Sequence, residues 1–217
     1  MIKYVRLVNS RFASNTYILY QEGINEVWLV DPGDVQPVIE WIESNGKYSV
    51  SGVLLSHSHF DHIYGLNDII DSFPDVRIYV ANDYGKDLLF DAKKNGSRYT
   101  EEGAFIIKDS ADVRFYESLD KILKDESVEA ILTLGHSEDS VCLLIDNFLF
   151  TGDTVIKDTR TVTKLKGGSA ESLKASLDKL EQLKGRGLEV CPGHGETFFL
   201  DNYDLDVCWI NRLYEKI

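Results

Sequence analysis

The chain has 217 residues, of which 43% are hydrophobic, and its formal net charge at pH 7 is -13. This hydrophobic fraction is enough for a substantial core and disfavours a disordered chain. The negative charge disfavours nucleic acid or an anionic membrane surface as the partner. No stretch approaches the roughly 18 consecutive apolar residues of a membrane-spanning helix, so we expect a small-molecule substrate and neither nucleic acid nor a membrane as partner.

Strands and helices alternate in the first half of the chain. Apolar runs predict strands at Ile2–Val8, Asn15–Tyr20, Val27–Val30, Val50–Leu55 and Val76–Val80. The spacing of apolar residues predicts a helix over Val35–Ser44, and a second helix is predicted from about Tyr64 to Ser72, before Pro74. Residues 83–110 are polar and predict a helix followed by an irregular loop. Aromatic residues between 84 and 116 either wall a substrate pocket or belong to the core.

The second half of the chain predicts further strands at Val113–Tyr116, Ala130–Leu134, Val141–Ile145, Phe148–Phe150 and Leu188–Cys191, with a hairpin turn at Asp146 and Asn147. Ser169–Leu183 has the apolar spacing of an amphipathic helix, with Ser169 as its N-cap. A closing helix is predicted over Tyr203–Glu215, and it is our candidate for a homodimer contact. The sequence contains neither a linker nor a tandem repeat, so we predict a single domain over residues 1–217.

The cysteines indicate the compartment that we expect for the protein. Cys142, Cys191 and Cys208 are odd in number and lie in or beside hydrophobic runs. This usage is typical of reduced, core-packed thiols in a cytoplasmic protein and unlike a disulfide framework. The first residues alternate between charged and apolar types, so we expect no signal peptide.

The five histidines of the chain are confined to three short motifs. These motifs are Ser56-His57-Ser58-His59-Phe60-Asp61-His62, Gly135-His136-Ser137 and Pro192-Gly193-His194-Gly195. Histidine is the commonest metal ligand in proteins. Histidines with unrelated roles would be scattered, so this distribution indicates that they build one site.

Four of the candidate ligands follow directly after predicted strands. They are His57, His136, Asp153 and His194. In α/β proteins the carboxyl end of a strand is where the rigid scaffold passes into a functional loop. We therefore expect the four strands to deliver these groups to one edge of the structure.

The spacing in the His-x-His-x-Asp-His motif predicts two metal ions. Residues two apart in an extended segment point the same way, so His57 and His59 can hold one metal, which His136 would complete. Asp61 and His62 diverge from that pair and can serve a second metal together with His194, while the anionic Asp153 can bridge both. Nitrogen and carboxylate ligands suit two Zn²⁺ ions, with Fe or Mn as alternatives.

Two such ions would define the chemistry of the site. Ions about 3.5–4 Å apart can hold a hydroxide between them. A zinc-bound water has its pKa lowered to about 7, so this hydroxide is available at neutral pH. Attack on an activated carbonyl is then assisted by the metals, so we expect hydrolysis. Asp61 and Asp153 are the candidate catalytic residues, since Asp61 can orient the attacking water and Asp153 can bridge the metals.

The ordered motifs resemble those of the metallo-β-lactamase superfamily. The resemblance rests on the His-x-His-x-Asp-His segment, Gly135-His136, Thr151-Gly152-Asp153-Thr154 and Pro192-Gly193-His194-Gly195. It implies an α/β four-layer αβ/βα sandwich with a dinuclear site at one edge of its two sheets. Within the superfamily, Asn15-Thr16-Tyr17-Ile18 and Val30-Asp31-Pro32-Gly33-Asp34 are most similar to short hydrolases like hydroxyacylglutathione hydrolase (glyoxalase II). The resemblance therefore implies hydrolysis of a thioester, lactone or similar small activated carbonyl compound.

The chain also departs from that family pattern. Relatives usually have Thr-Pro-Gly-Ser after the histidine of the second motif, where this chain has Ser137-Glu138-Asp139-Ser140. The sequence ends shortly after His194 without the helical extension that glyoxalase II uses to hold glutathione, so we do not expect a glutathione thioester as the specific substrate. The best-known class of secreted zinc β-lactamases has Cys where Asp153 stands, which disfavours antibiotic hydrolysis.

Two other functions stay open at this point. A mononuclear iron oxidoreductase that resembles the persulfide dioxygenases would use only His57, His136 and Asp153 on one iron. A metal-binding scaffold without activity is the other alternative, although such a member would be expected to lose ligands. Metal analysis distinguishes the dinuclear hydrolase from the mononuclear iron oxidoreductase.

Residues around the motifs also allow two interpretations. We favour ordinary turn chemistry for Asp31 and Asp34, with support of the metal ligands as the alternative. Tyr64 either faces the substrate or packs at a helix start. The basic residues between Lys157 and Lys166 are more typical of a solvated face than of a docking site for a substrate carboxylate.

Overall fold

The computed structural model describes residues 1–46 and 48–209, whose strands form two sheets. The first sheet contains six strands in chain order: β1 (Lys3–Val8), β2 (Asn15–Tyr20), β3 (Glu26–Val30), β4 (Ser49–Leu54), β5 (Arg77–Val80) and β6 (Asp112–Phe115). Strands β1, β2 and β3 pair antiparallel, whereas β3 to β6 pair parallel. The parallel part is typical of α/β proteins, because its connections place helices on one face of the sheet.

The second sheet has the order β11-β10-β9-β8-β7. Its strands are β7 (Glu129–Leu132), β8 (Val141–Ile145), β9 (Phe148–Gly152), β10 (Glu189–Pro192) and β11 (Phe198–Phe199). Strands β9 and β10 are parallel, and the other pairs are antiparallel. The predicted hairpin turn is present, since Ile145 of β8 pairs with Phe148 of β9 across Asp146 and Asn147.

The helices of the described residues are α1 (Val35–Asn45), α2 (Leu66–Ser72), α3 (Asp83–Leu89) and α4 (Ala170–Glu181). The predicted N-cap of α4 is confirmed, because the Ser169 hydroxyl accepts a hydrogen bond from the Ser172 amide at 3.2 Å. In α3 the Asn82 side chain caps the Gly85 amide in the same way. These side chains satisfy amide groups that a helix start leaves without a partner.

Three hydrophobic clusters arrange the helices and sheets in four layers. One cluster packs α1 and α2 on the first sheet, through residues such as Val38, Ile69 and Val53. A second lies between the two sheets and includes Tyr17 and Phe150. The third packs α4 on the outer face of the second sheet. The predicted four-layer αβ/βα sandwich is therefore confirmed.

The predicted C-terminal helix is not present in the part of that segment that the structure describes, so the prediction was wrong there. Leu205–Cys208 is a short 3-10 turn instead of the start of a helix, and the remainder of the predicted Tyr203–Glu215 helix lies outside the described residues. Leu205 and Cys208 are buried in the cluster around α4. Tertiary packing thus decides the local conformation here, and the helical spacing of the sequence does not.

Two further observations concern the cysteines and membrane-spanning segments. Cys142, Cys191 and Cys208 are buried and free of disulfide bonds, as the sequence analysis expected. Over residues 1–46 and 48–209, no helix combines the length and the apolar character needed to cross a bilayer.

Candidate metal centre

The seven candidate ligands meet at one edge of the two sheets. They come from loops that follow β4, β7, β9 and β10. The loop after β4 and the loop after β10 are held in position by the loop before β2, because Ser14 forms a bridge with His194 and its hydroxyl donates to the Asp61 carbonyl at 2.7 Å. Strand ends therefore position the site, as the sequence predicts.

The first group consists of three buried histidines, His57, His59 and His136. One ring nitrogen of each lies within 4.8 Å of the corresponding atoms of the other two. Nδ1 of His59 and Nε2 of His136 are only 2.9 Å apart. Three imidazole nitrogens that converge on one point form a ligand set of the kind that holds zinc in proteins.

The second group contains two histidines and two carboxylates, and its members are Asp61, His62, Asp153 and His194. Their ligand atoms also lie within 4.8 Å of one another. The Asp61 Oδ2 atom is 3.2 Å from His194 Nε2 and 3.5 Å from His62 Nε2. The two carboxylates give this group a negative charge that attracts a cation.

Asp153 lies between the two groups. Its Oδ1 atom is 3.4 Å from His62 Nε2 and 3.6 Å from His194 Nε2 in the second group. Its Oδ2 atom is 3.7 Å from His136 Nε2 in the first group. Each carboxylate oxygen therefore faces a different group, which is the arrangement that a bridging ligand requires.

Asp31 orients one histidine in each group. Its carboxylate accepts hydrogen bonds from the Ser56 amide at 2.8 Å, from the Ser56 hydroxyl at 2.5 Å and from His62 Nδ1 at 3.1 Å. Because the Ser56 hydroxyl has given its only proton to Asp31, it must accept from His57 Nδ1, 3.1 Å away. The Nε2 atoms of His57 and His62 are thereby turned toward the site.

His136 is oriented by the backbone. Its Nδ1 atom lies 2.9 Å from the Val162 carbonyl oxygen, which can only accept a hydrogen bond. This hydrogen bond requires a proton on Nδ1, so Nε2 is the nitrogen that faces the other ligands. Hydrogen bonds of this kind fix the ring orientation of metal-ligating histidines.

The charges of the site differ between the two groups. Burial, followed by the neighbouring His136, lowers the pKa of His59 to about 4, and burial also lowers the pKa of His57. Burial opposes a charge on His62 too, but Asp61 and Asp153 outweigh it and raise the pKa of His62. His57 and His59 therefore favour the neutral form, and the second group favours a positive charge at its centre.

The environment of the candidate ligand atoms fits divalent cations. His57 Nε2, His62 Nε2 and Asp153 Oδ1 are buried and have no hydrogen-bond partner in the described residues. Polar atoms that are buried in this way are costly unless a partner satisfies them. A bound cation in each group would satisfy all three.

Comparison with known proteins agrees with this geometry. Residues 10–194 match the model of the metallo-beta-lactamase superfamily. The chain belongs to this superfamily. It is 29% identical over 185 residues to a hydroxyacylglutathione hydrolase of Hydrogenovibrio crunogenus, an alignment that covers 84% of the chain but 59% of that relative. The chain thus spans about three fifths of the length of this curated relative.

Solved structures of the superfamily have the same fold. The BLEG-1 B3 metallo-beta-lactamase is 27% identical and superposes with a TM-score of 0.81, covering 92% of this chain and 94% of its own. TTHA1623, crystallised in a di-iron-bound form, is 21% identical with a TM-score of 0.74 and coverages of 95% and 98%. The metallo-beta-lactamase fold binds divalent metals, and the two histidine and carboxylate groups are the candidate ligands here.

The site adjoins a cavity of about 410 Å³, which is lined in part by His59, Asp61, His136 and Asp153. A volume of this size is typical of sites that bind small molecules. Tyr99 also lines this cavity, whereas Tyr116 is buried in the core between the sheets. The aromatic residues between 84 and 116 are therefore divided between the two predicted roles.

The structure separates the residues for which two interpretations were open. Our preference for ordinary turn chemistry was wrong for Asp31, which contacts His62 and has a φ of +50°. Asp34 lies away from the ligand atoms and accepts hydrogen bonds from Ser10 and from the Tyr64 hydroxyl. Burial raises the pKa of Asp34, but these hydrogen bonds together with nearby Arg11 lower it overall. Tyr64 thus supports a turn and does not line the cavity.

The basic residues between Lys157 and Lys166 differ in whether they line the cavity. Of Lys157, Arg160, Lys164 and Lys166, only Lys166 lines the cavity beside the candidate metal centre. Lys93 and Lys94 line the same cavity, although the sequence analysis did not select them. The signal in the sequence was weak, because their loop follows α3 in a polar region that has no motif.

Asp139 is another residue whose role the sequence did not reveal. It stands in the turn where the chain departs from the family pattern, and it is 1% exposed. Its carboxylate accepts a hydrogen bond from the Ser58 amide at 2.8 Å and another from the Ser137 hydroxyl. Burial raises the pKa of this carboxyl group. Asp139 therefore ties the loop of His57 and His59 to the loop of His136.

Proposed function

We propose that this chain is a dinuclear metal-dependent hydrolase of small activated carbonyl compounds, such as thioesters or lactones. The observation that carries the proposal is the convergence of seven side chains in two groups with the Asp153 carboxylate between them. Membership in the superfamily and the similarity to a hydroxyacylglutathione hydrolase support a hydrolytic reaction.

The two groups would hold one cation each, with Zn²⁺ as the ion that we propose. The first ligand set is His57, His59 and His136, and the second is Asp61, His62, Asp153 and His194. The nitrogen and carboxylate donors suit Zn²⁺ and are compatible with Fe or Mn. Bound cations of this kind lower the pKa of water and stabilise negative charge on a carbonyl oxygen.

The chain itself supplies orientation and proton handling. Asp31 and Ser56 keep protons on the Nδ1 atoms of His57 and His62, so the opposite nitrogens stay free. The Asp61 side chain is one-quarter exposed and lines the cavity, where it can accept a hydrogen bond from an attacking water. Asp61 and Asp153 are therefore the residues to which we assign direct catalytic roles.

The mononuclear iron alternative requires only His57, His136 and Asp153. The complete second group favours two metals over one, because Asp61, His62 and His194 also converge on a common point. The similarity to BLEG-1 gives a reason to test a β-lactam beside a thioester and a lactone, since a β-lactam is also an activated carbonyl.

The proposal is tested with purified protein that has been stripped by a chelator and then reloaded with Zn²⁺, Fe²⁺ or Mn²⁺. We expect hydrolysis of at least one thioester, lactone or β-lactam in the reloaded protein only. The matched variant is Asp153→Asn, which keeps the shape of the side chain but removes its charge, and we expect at least a hundredfold lower kcat. Oxygen uptake with a persulfide and a single iron per chain would favour the dioxygenase instead.

A further inference from the structure

Large apolar side chains surround the cavity at the candidate metal centre while staying exposed to solvent. Phe12 is 47% exposed, Tyr99 71%, and Val162 and Leu165 52% each, and all four line this cavity. Single exposed apolar residues are ordinary, but several that converge on one cavity indicate a ligand-binding surface. They are suited to hold an apolar group of a substrate beside the reacting carbonyl.

The backbone holds one of these side chains in place at a conformational cost. Phe12 has a φ of +59° and the following Ala13 has a φ of +51°, in the left-handed region that bulky residues rarely adopt. The Phe12 ring meets the Phe60 ring edge to face, with centroids 6.0 Å apart. Phe60 stands in the metal-ligand motif, so the apolar wall is fixed directly to the site.

Cationic side chains line the same cavity. Lys93, Lys94 and Lys166 are all among its lining residues. Lys94 pairs with Asp87 at 3.4 Å. The ammonium groups of Lys93 and Lys166 form no close ion pair with any described residue, although Lys166 interacts electrostatically with Asp91 at longer range. In a chain with a net charge of -13, two cations without close ion-pair partners beside one cavity make that cavity locally attractive to anions.

The loops that carry these lysines are anchored near the site. The Asn95 carbonyl accepts a hydrogen bond from the Phe60 amide at 2.9 Å, and the buried Asn95 side chain donates to the carbonyls of Leu88 and Phe105. The loop of Lys93 is thereby attached to the metal-ligand motif. The loop of Lys166 is held from the other side, because the Tyr84 hydroxyl donates to the Lys166 carbonyl at 3.4 Å.

We propose that the substrate is an amphipathic anion, with an apolar group against Phe12, Tyr99, Val162 and Leu165 and a carboxylate or phosphate at Lys93 and Lys166. This inference rests on the proposed hydrolytic function and adds the substrate class. Ammonium groups bind either anion through charge-assisted hydrogen bonds, so the experiment has to distinguish the two.

Four probe thioesters test the inference with the zinc-loaded protein. S-hexanoyl-N-acetylcysteamine is neutral, S-adipoyl-N-acetylcysteamine adds a carboxylate to the acyl side, S-hexanoyl-N-acetylcysteine adds one to the thiol side, and S-hexanoyl-4′-phosphopantetheine adds a phosphate. We expect at least one charged probe to exceed the neutral probe about tenfold in kcat/KM at low salt. The probe that does so identifies the anion and its side of the bond.

Two double variants with the same change in net charge separate a local effect from a general one. Lys93→Glu with Lys166→Glu should abolish the preference for the charged probe. Lys121→Glu with Lys157→Glu should retain it, because neither of these exposed lysines lines the cavity. Equal rates for all probes, or an equal loss of preference in both double variants, would overturn the inference.

A binding measurement decides the inference even when no thioester is cleaved. Calorimetric titration compares 6-phenylhexanoate with its neutral amide on the zinc-loaded protein and on both double variants. We expect tighter binding of the acid by about fivefold or more, and loss of this difference only when Lys93 and Lys166 are replaced. A difference that survives their replacement comes from the metal and contradicts the inference, whereas absence of hydrolysis with the expected binding refutes only the proposed function.

Discussion

Replacement of Asp31 and of Ser56 should affect the two candidate metal sites differently. Asp31 contacts His62 directly but reaches His57 only through the Ser56 hydroxyl. In Ser56→Ala the hydrogen bond to His57 is lost, while the contact between Asp31 and His62 is kept. In Asp31→Asn a side-chain amide replaces the carboxylate that accepts hydrogen bonds from the Ser56 hydroxyl and from His62 Nδ1. The orientation of both His57 and His62 is therefore disturbed.

The magnitude follows from the hydrogen bonds that are removed. Partners that orient metal-ligating histidines change metal affinity by about 10- to 100-fold when they are replaced. We therefore expect Ser56→Ala to weaken one of two metal-binding steps about tenfold, and Asp31→Asn to weaken both steps by 10- to 100-fold. Asp31→Ala, which leaves three buried donors without their acceptor, should in addition destabilise the fold by about 3 kcal/mol.

Competition with a chromophoric chelator measures the two dissociation constants, and the ¹H–¹⁵N spectrum of the histidine rings reports which nitrogen carries the proton. In the wild-type protein we expect His57 and His62 to be protonated on Nδ1. Equal weakening of both steps by Ser56→Ala would refute the reasoning. So would Asp31→Asn with unchanged affinities.

Three other changes test separate parts of the structure. Asp139→Ala should lower the free energy of unfolding of the metal-free protein by about 2–4 kcal/mol, because the buried Ser58 amide loses its acceptor. Asp139→Asn should lower it by less than half of this amount. Urea unfolding measures both variants, and equal losses would contradict the hydrogen-bond explanation. Gly193→Ala should weaken metal binding at least tenfold, because its Cβ would lie 2.5 Å from Asp153 Oδ1 and displace this ligand. Calorimetry measures the affinity, and an unchanged value would contradict the prediction. The wild type should be more stable than Asp34→Asn at neutral pH, and this difference should vanish as the pH falls through the lowered pKa of Asp34. The reason is that a carboxylate with a lowered pKa in the folded state stabilises the fold only when it is ionised. A constant difference down to pH 2 in urea titrations would contradict this.

The fold and the ligand set could be predicted largely from the sequence. Apolar runs gave strand bounds close to those observed, and β2 and β8 agree with the predicted strands Asn15–Tyr20 and Val141–Ile145. His57 and Asp153 could be selected because ligands at strand ends are ordered along the chain together with the strands. The structure brings all seven predicted ligands together, and their binding of metal stays a prediction.

The supporting residues could not be predicted because their contacts depend on tertiary geometry. Asp31 stands in a Pro-Gly turn of ordinary composition, and only its left-handed backbone directs the carboxylate to His62. The loop of Lys93 is attached to the metal-ligand motif by a hydrogen bond between Phe60 and Asn95, two residues that are distant in the sequence. The edge strand β11 at Phe198–Phe199 has only two residues and is also too short for its pattern to be recognised.

Elemental analysis of the purified protein tests the central claim most directly, because the account depends on two cations between seven side chains. Protein loaded with Zn²⁺ and passed through a desalting column should retain two metal ions per chain. His57→Ala and His194→Ala should each retain about one, since each removes a ligand from a different group. Retention of one ion or none by the wild-type protein, at saturating zinc, would contradict the account.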